Sequence, residues 1–266
     1  MTTPNVPHRF EIELAIDASP EQIWNAIATG PGISSWMMPA EIDARPGGEV
    51  VFHMGPDGDS PGKVTAAEAD RRLVYEEDWA TLAGHTGADV TPLVTEFLIE
   101  ARSGGTCSVR VVTSAFGTGA DWENEFFAEM ERGWAPMLDN LRLYVESFPG
   151  QSASTMWIST KVAASPERAI EAVKDGLGTR SVGDTTAVRD IDAKLARSIP
   201  HHVLLRMTAP ASGFLSFFSF GGDDEAGLNL IGHLFGDAAA GYVESEQSGW
   251  QSWLDEVAAK VSSPTR

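Results

Sequence analysis

The sequence predicts an α+β chain made of two tandem copies of one plan, each an antiparallel sheet closed by a long C-terminal helix. Three observations carry this. The stretch "ASPEQIWNAI" (Ala18–Ile27) returns as "ASPERAIEAV" (Ala164–Val173). The stretch "GWAPMLDNLRLYV", from Gly133, returns as "GWQSWLDEVAAKV", from Gly249. Between these markers lie short alternating runs separated by turn residues, the pattern of strands and hairpins. Two matches in the same order point to an internal duplication. The start motifs are 146 residues apart and the end motifs 116. The second copy is therefore shorter and is expected to have lost or shortened hairpins. The small-residue stretch "SFPGQSAS" (Ser147–Ser154) sets the boundary, giving units 1–149 and 150–266.

Each element has a local cause. "FEIELAI" alternates Phe10, Ile12, Leu14 and Ile16 on one face and reads as the first strand. Ser19 is a good N-cap, Pro20 suits the first helical position, and Glu21 complements the positive helix end. Ser165, Pro166 and Glu167 repeat that signature behind the strand-like "MWISTKV". Strands follow at 48–54, 62–69, 72–79, 93–101 and 107–116, with Gly-, Pro- and Asp-rich loops between them. Trp122, Phe126, Met130, Trp134, Met137, Leu138, Leu141 and Val145 recur at three and four, so a long amphipathic helix closes the first copy. Gly133 and Pro136 are expected to bend it. In the second copy "TTAVRDI", "HHVLLRMTA", "GFLSFFSF" and "GLNLIGHLF" read as strands. Trp250, Trp253, Leu254, Val257 and Val261 make the closing stripe.

Composition narrows the function. The chain has 266 residues, 42% apolar, and no apolar run long enough to span a bilayer. Its first residues, "MTTPNVPHRF", show no secretory h-region, so a cytoplasmic protein is expected. Cys107 is the lone cysteine and reads as a small buried hydrophobe. A net charge of −19 argues against nucleic acid and anionic membrane as partners. There is no HExxH, G-x-S-x-G, Walker A or dinucleotide fingerprint, so no cofactor is expected. Asp57, Asp59, Gly62 and Glu68 meet part of the EF-hand spacing, but Pro61 and the strand-like flanks favour a hairpin and no metal.

The residues "FEIELAIDASPEQIWNAIAT", "SSWMMP", "ARPGGEVVF", "RLVYEEDW", "LVTEFLIEARSGGTCSVRVVTSAF" and the final "GWAPMLDNLRLYV" resemble the START-like helix-grip superfamily. Within it, residues 8–147 are most similar to proteins related to the activator of Hsp90 ATPase. The second half resembles the same fold through its end motifs and strand content. The resemblance implies a curved sheet gripping the C-terminal helix around a cavity, in a superfamily whose members bind lipids, sterols, polyketides or hormones. The expected function is binding of a small hydrophobic or amphipathic molecule in the first copy. An enzyme of cyclase, dehydratase or hydrolase type, or a co-chaperone module with a chaperone partner, is the alternative. The second copy, a degenerate one, is expected to pack on the first as an intramolecular pseudo-dimer.

Candidate ligand-binding residues follow from that cavity. Trp36, Met37 and Met38 offer an aromatic and two flexible thioethers after the capped helix. Trp122, Phe126, Met130 and Trp134 sit on the inner helix stripe, where ordinary core is the competing role. On the strands, Val111 and Thr113 share a face, and His53, Tyr75 and Phe97 complete the set. Related proteins often carry His where this chain has Thr113, which weakens any catalytic carry-over. The acidic cluster "EEDW" (Glu76–Trp79) is expected to be a solvated strand end, with a raised-pKa acid as its alternative.

Overall fold

The computed structural model describes residues 5–54 and 58–262. They divide into two compact units, Met1–Ser152 and Ala153–Arg266. The first opens with strand β1 (Val6–Ile16) and helices α1 (Pro20–Ile27) and α2 (Gly30–Ile33). Strands β2 (Ala40–Ile42), β3 (Glu49–His53), β4 (Asp59–Glu68) and β5 (Arg72–Glu77) follow. The short helix α3 (Trp79–Leu82) leads to β6 (Leu93–Ala101), β7 (Cys107–Gly117) and the long helix α4 (Asp121–Ser147). The seven strands form one antiparallel sheet in the order β1-β7-β6-β5-β4-β3-β2.

The second unit contains β8 (Ser154–Val162), α5 (Pro166–Leu177), β9 (Thr185–Thr186), β10 (Asp192–Ile199) and β11 (His202–Ala209). Strands β12 (Ser212–Gly221) and β13 (Ala226–Phe235) and helix α6 (Ala239–Ser262) complete it. Its six-stranded sheet has the order β8-β13-β12-β11-β10-β9. Both units therefore have the helix-grip plan: first strand, capped helix, antiparallel strands, closing helix. The second has one strand fewer. Among the described residues, nothing in it matches β2 or the "SWMMP" stretch before β2, and β11 turns directly into β12 where the first unit inserts α3 and a loop.

The repeated Ser-Pro-Glu does the same work twice. Ser19 accepts from the Gln22 amide while Gln22 reaches back to the Ser19 amide, a complete capping box worth about 1 kcal/mol. Ser165 accepts from the Arg168 amide, and Gly178 ends α5 in the left-handed region. Helix α4 runs unbroken for 27 residues with Pro136 inside it.

The pairing register carries the repeat through the sheets. Phe10, Thr113, Thr95, Tyr75 and Val64 form one row across the first sheet. Met156, Gly232, Leu215, Leu205 and Leu195 form the corresponding row of the second. In both, the strand carrying Val64 or Leu195 bulges at its next residue, a shared irregularity that fixes the alignment. One step along, Glu77 faces Gly62 and Leu93, and its counterpart Met207 faces Ala193 and Gly213. The second core is apolar along these rows, filled by Met156, Leu195, Leu205, Met207, Leu215 and Trp250.

The start of α4 is fastened by a buried carboxylate. Glu123 accepts from the amides of Thr118 (2.9 Å) and Gly119 (2.8 Å), from the Thr118 hydroxyl (2.9 Å), and pairs with His8 Nε2 (3.0 Å). Its side chain is fully shielded from water. His8 in turn stacks on Phe127.

Candidate functional site

Alternation along the strands turns Phe52 of β3, Ser60 of β4, and Tyr75 and Glu77 of β5 to the inner face of the first sheet. On α4, Phe126, Met130, Gly133, Trp134 and Met137 recur at helical spacing and face them. Met37 and Met38 enter from the stretch after α2, Met54 from the end of β3, and Leu82 from α3. With Leu93, these residues line a half-open pocket of ≈ 390 Å³. Most of its wall is apolar or thioether.

One end is polar. The Ser60 hydroxyl donates to Glu77 Oε1 at 2.6 Å. Burial raises the Glu77 carboxyl from 4.5 to about 7, against the lowering effect of that bond. The Tyr75 hydroxyl is pushed well up by burial and, secondarily, by the Glu77 charge. Gly62 makes room for the cluster, because a Cβ there would meet Glu76 O at 2.6 Å and Glu77 Cγ at 3.0 Å. Glu77 also borders a polar outer cleft lined by Gly62, Lys63, Glu76, Asp78 and Thr91. Among the described residues, the inner lining has no Lys, Arg or His, so Glu77 is its one ionisable acid without a facing base. A carboxyl near neutrality between an apolar chamber and a wet cleft can hold or release a proton at physiological pH.

Residues 17–146 match the model of the activator of Hsp90 ATPase homolog 1-like protein family. The match spans most of the first unit. No curated protein matches the chain. Among solved structures, a Mesorhizobium loti protein is similar at 20% identity over 53% of this chain and 98% of its own, with a TM-score of 0.46. The Aha1 dimer from Colwellia psychrerythraea is similar at 22% identity over 53% of this chain and 97% of that one, TM-score 0.43. The di-domain ARO/CYC BexL from the BE-7585A biosynthetic pathway is similar over 97% of this chain and 100% of that one, at 12% identity and TM-score 0.43.

Within this Hsp90-activator-like unit, the sequence candidates separate. Met37, Met38, Tyr75, Phe126, Met130 and Trp134 line the pocket. Trp36 does not: its indole N–H donates to Ala26 O (2.9 Å) and its ring is core. His53 does not either. Phe52 takes the inward position of β3, so His53 turns outward to Asp59 (2.8 Å), whose hydrogen bond raises its pKa. Phe97 lies beneath the pocket against Trp134, with ring centroids 5.6 Å apart. Val111 and Thr113 are on the inner face but fully buried below the lining. Trp122 packs on Trp79 and His85 outside the lining. The solvated strand end expected of "EEDW" does not describe Glu77, which faces the pocket. Sequence reasoning also passed over Phe52, Met54, Ser60, Leu82, Leu93 and Gly133 as lining, while Met137 belongs to the inner helix stripe it did single out. Asp57 of the EF-hand-like run lies outside the described residues. Asp59, Gly62 and Glu68 lie along one extended strand, and no cluster able to hold a metal occurs among the described residues.

Thr113 faces Thr95 across β7 and β6 and is fully buried, with no hydrogen-bond partner for its hydroxyl among the described residues. A buried, unsatisfied hydroxyl costs stability that a methyl of the same shape does not. Thr113→Val is therefore expected to stabilise the unit by about 1 kcal/mol in urea unfolding. A loss of stability instead would show that the hydroxyl is bonded.

No helix among the described residues is long and apolar enough to cross a membrane.

Proposed function

We propose that the first unit binds a small amphipathic molecule, its apolar body against Met37, Phe126, Met130 and Trp134 and its polar end at Ser60 and Glu77. The observation that carries this is the pocket itself: ≈ 390 Å³, apolar-walled, with converging polar groups at one end, the usual form of a small-molecule site. The positions of the second unit that correspond to Glu77 and Tyr75 are Met207 and Leu205, buried in its core, so we assign binding to the first unit alone. N-phenyl-1-naphthylamine, a neutral probe that brightens in apolar sites, tests it. The wild type should enhance its emission, and Met130→Trp, which fills the pocket, should weaken binding by about tenfold or more with the circular dichroism unchanged. Undiminished binding by a folded Met130→Trp variant would place the ligand elsewhere.

A second reading rests on Glu77 alone. A carboxyl at about 7 is suited to general acid–base work on a bound molecule. Mass spectrometry of a co-purified ligand before and after incubation would show a chemical change abolished by Glu77→Gln. An unchanged ligand leaves binding as the function.

A further inference from the structure

We propose that the ligand is an organic cation, an amphipathic amine or guanidine whose charged head pairs with Glu77 among aromatic rings. This rests on the binding function assigned above and names its chemical class. Two independent features of the fold carry it.

The first is charge. Among the described residues, the lining offers an incoming anion no base, while Glu77 offers a cation a carboxylate and Tyr75 and Trp134 bring aromatic rings to the same lining. Burial keeps Glu77 partly protonated when no cation is near, and a bound ammonium removes that penalty.

The second is the other copy of the fold. The repeat sets Met130, Gly133 and Trp134 opposite Glu246, Gly249 and Trp250. In the second unit this place is occupied by the protein's own cation. The connection from β9 to β10, the counterpart of the β3–β4 hairpin, carries Arg189 in the left-handed region (φ 55°). Its guanidinium bonds Glu246 (2.9 Å) and lies over Trp250, 5.6 Å from the ring centroid. It fills the space that a Cβ on Gly249 would need, whereas the space at Gly133 is open. The first unit has exchanged the helix acid for Met130 and gained a sheet acid, Glu77, where the second has Met207. One copy holds a carboxylate, a tryptophan face and a built-in guanidinium. The other holds a carboxyl, a tryptophan ring and open space beside Gly133.

The test is displacement of N-phenyl-1-naphthylamine by dodecylamine, dodecanol and dodecanoate at pH 8, below micelle formation. Dodecylammonium should act at a concentration about tenfold below dodecanol, and Glu77→Gln should reduce that advantage to about threefold or less. In the wild type alone, lowering the pH from 8 to 6 should weaken the amine, which stays charged, because Glu77 then shifts toward its protonated form. Equal displacement by all three, or a preference for dodecanoate, overturns the cation while leaving the pocket as the binding site. A wild type that binds no probe overturns both.

Discussion

Glu123→Gln is expected to destabilise the first unit by about 3 kcal/mol at pH 7. Burial pushes this carboxyl up, but the Thr118 and Gly119 amides, the Thr118 hydroxyl and His8 outweigh it and hold it at about 2, below its ordinary 4.5. The sign follows. The folded state prefers the anion, so the contribution is complete above pH 4.5 and is lost as pH falls through about 2. The span from 4.5 to about 2 converts to about 3 kcal/mol at 1.36 kcal/mol for each pH unit. The amide variant presents an NH₂ group to amide donors that want an acceptor, so the loss is not offset by shape. Gly117 belongs to the same arrangement, because a Cβ there would overlap the Glu123 carboxylate. Urea unfolding of wild type and variant at pH 7 and pH 3 measures the difference. The gap should narrow at pH 3, and a gap equal at both pH values would mean that Glu123 is neutral in the fold.

Glu123 also marks where sequence patterning stops. Trp122 stands out in a hydrophobic stripe, but nothing in the alternation of residues says that the next carboxylate is wrapped by a turn at Thr118–Gly119. The repeat and the strands are legible because they rest on local chemistry: Ser-Pro-Glu caps a helix wherever it stands, and period-two runs make strands. β10 was missed because Asp192, Lys194 and Arg197 dilute its apolar alternation, which the sheet supplies through pairing with β11. The pocket was half legible. Helix-borne Phe126, Met130 and Trp134 follow from the 3.6-residue period. Glu77 does not: alternation puts it on the face of Tyr75, but its burial depends on Gly62, across the strand pair, whose missing side chain admits it. Composition even misdirects there, since a chain of net charge −19 makes one more acidic residue look like surface. His53 failed for the opposite reason: its type suggests chemistry, while the strand period gives the interior to Phe52.

Gly133→Ala and Gly249→Ala are the same substitution at equivalent places in the repeat, and they are expected to act in opposite directions. In a helix interior, alanine is favoured over glycine by up to about 1 kcal/mol. At Gly133 a Cβ meets nothing within 4 Å, so the variant should gain roughly 0.5–1 kcal/mol and narrow the pocket by one methyl. At Gly249 a Cβ overlaps the Arg189 guanidinium. That group must move, breaking its bond to Glu246 and leaving the face of Trp250. Both ions are partly shielded, at 26% and 34% side-chain exposure, so their separation costs more than a surface pair would. Arg189 is also held at positive φ, a backbone conformation with little reason to persist once the guanidinium is displaced. A net loss of about 1–2 kcal/mol is expected for Gly249→Ala. The cause can be isolated by a double-mutant cycle. With Arg189→Ala already in place, Gly249→Ala should lose its penalty and become neutral or stabilising, a coupling of about 1–2 kcal/mol. If Gly249→Ala costs the same with and without Arg189, the guanidinium does not occupy that space in solution. The second unit's resemblance to a cation-filled pocket would then fall with it.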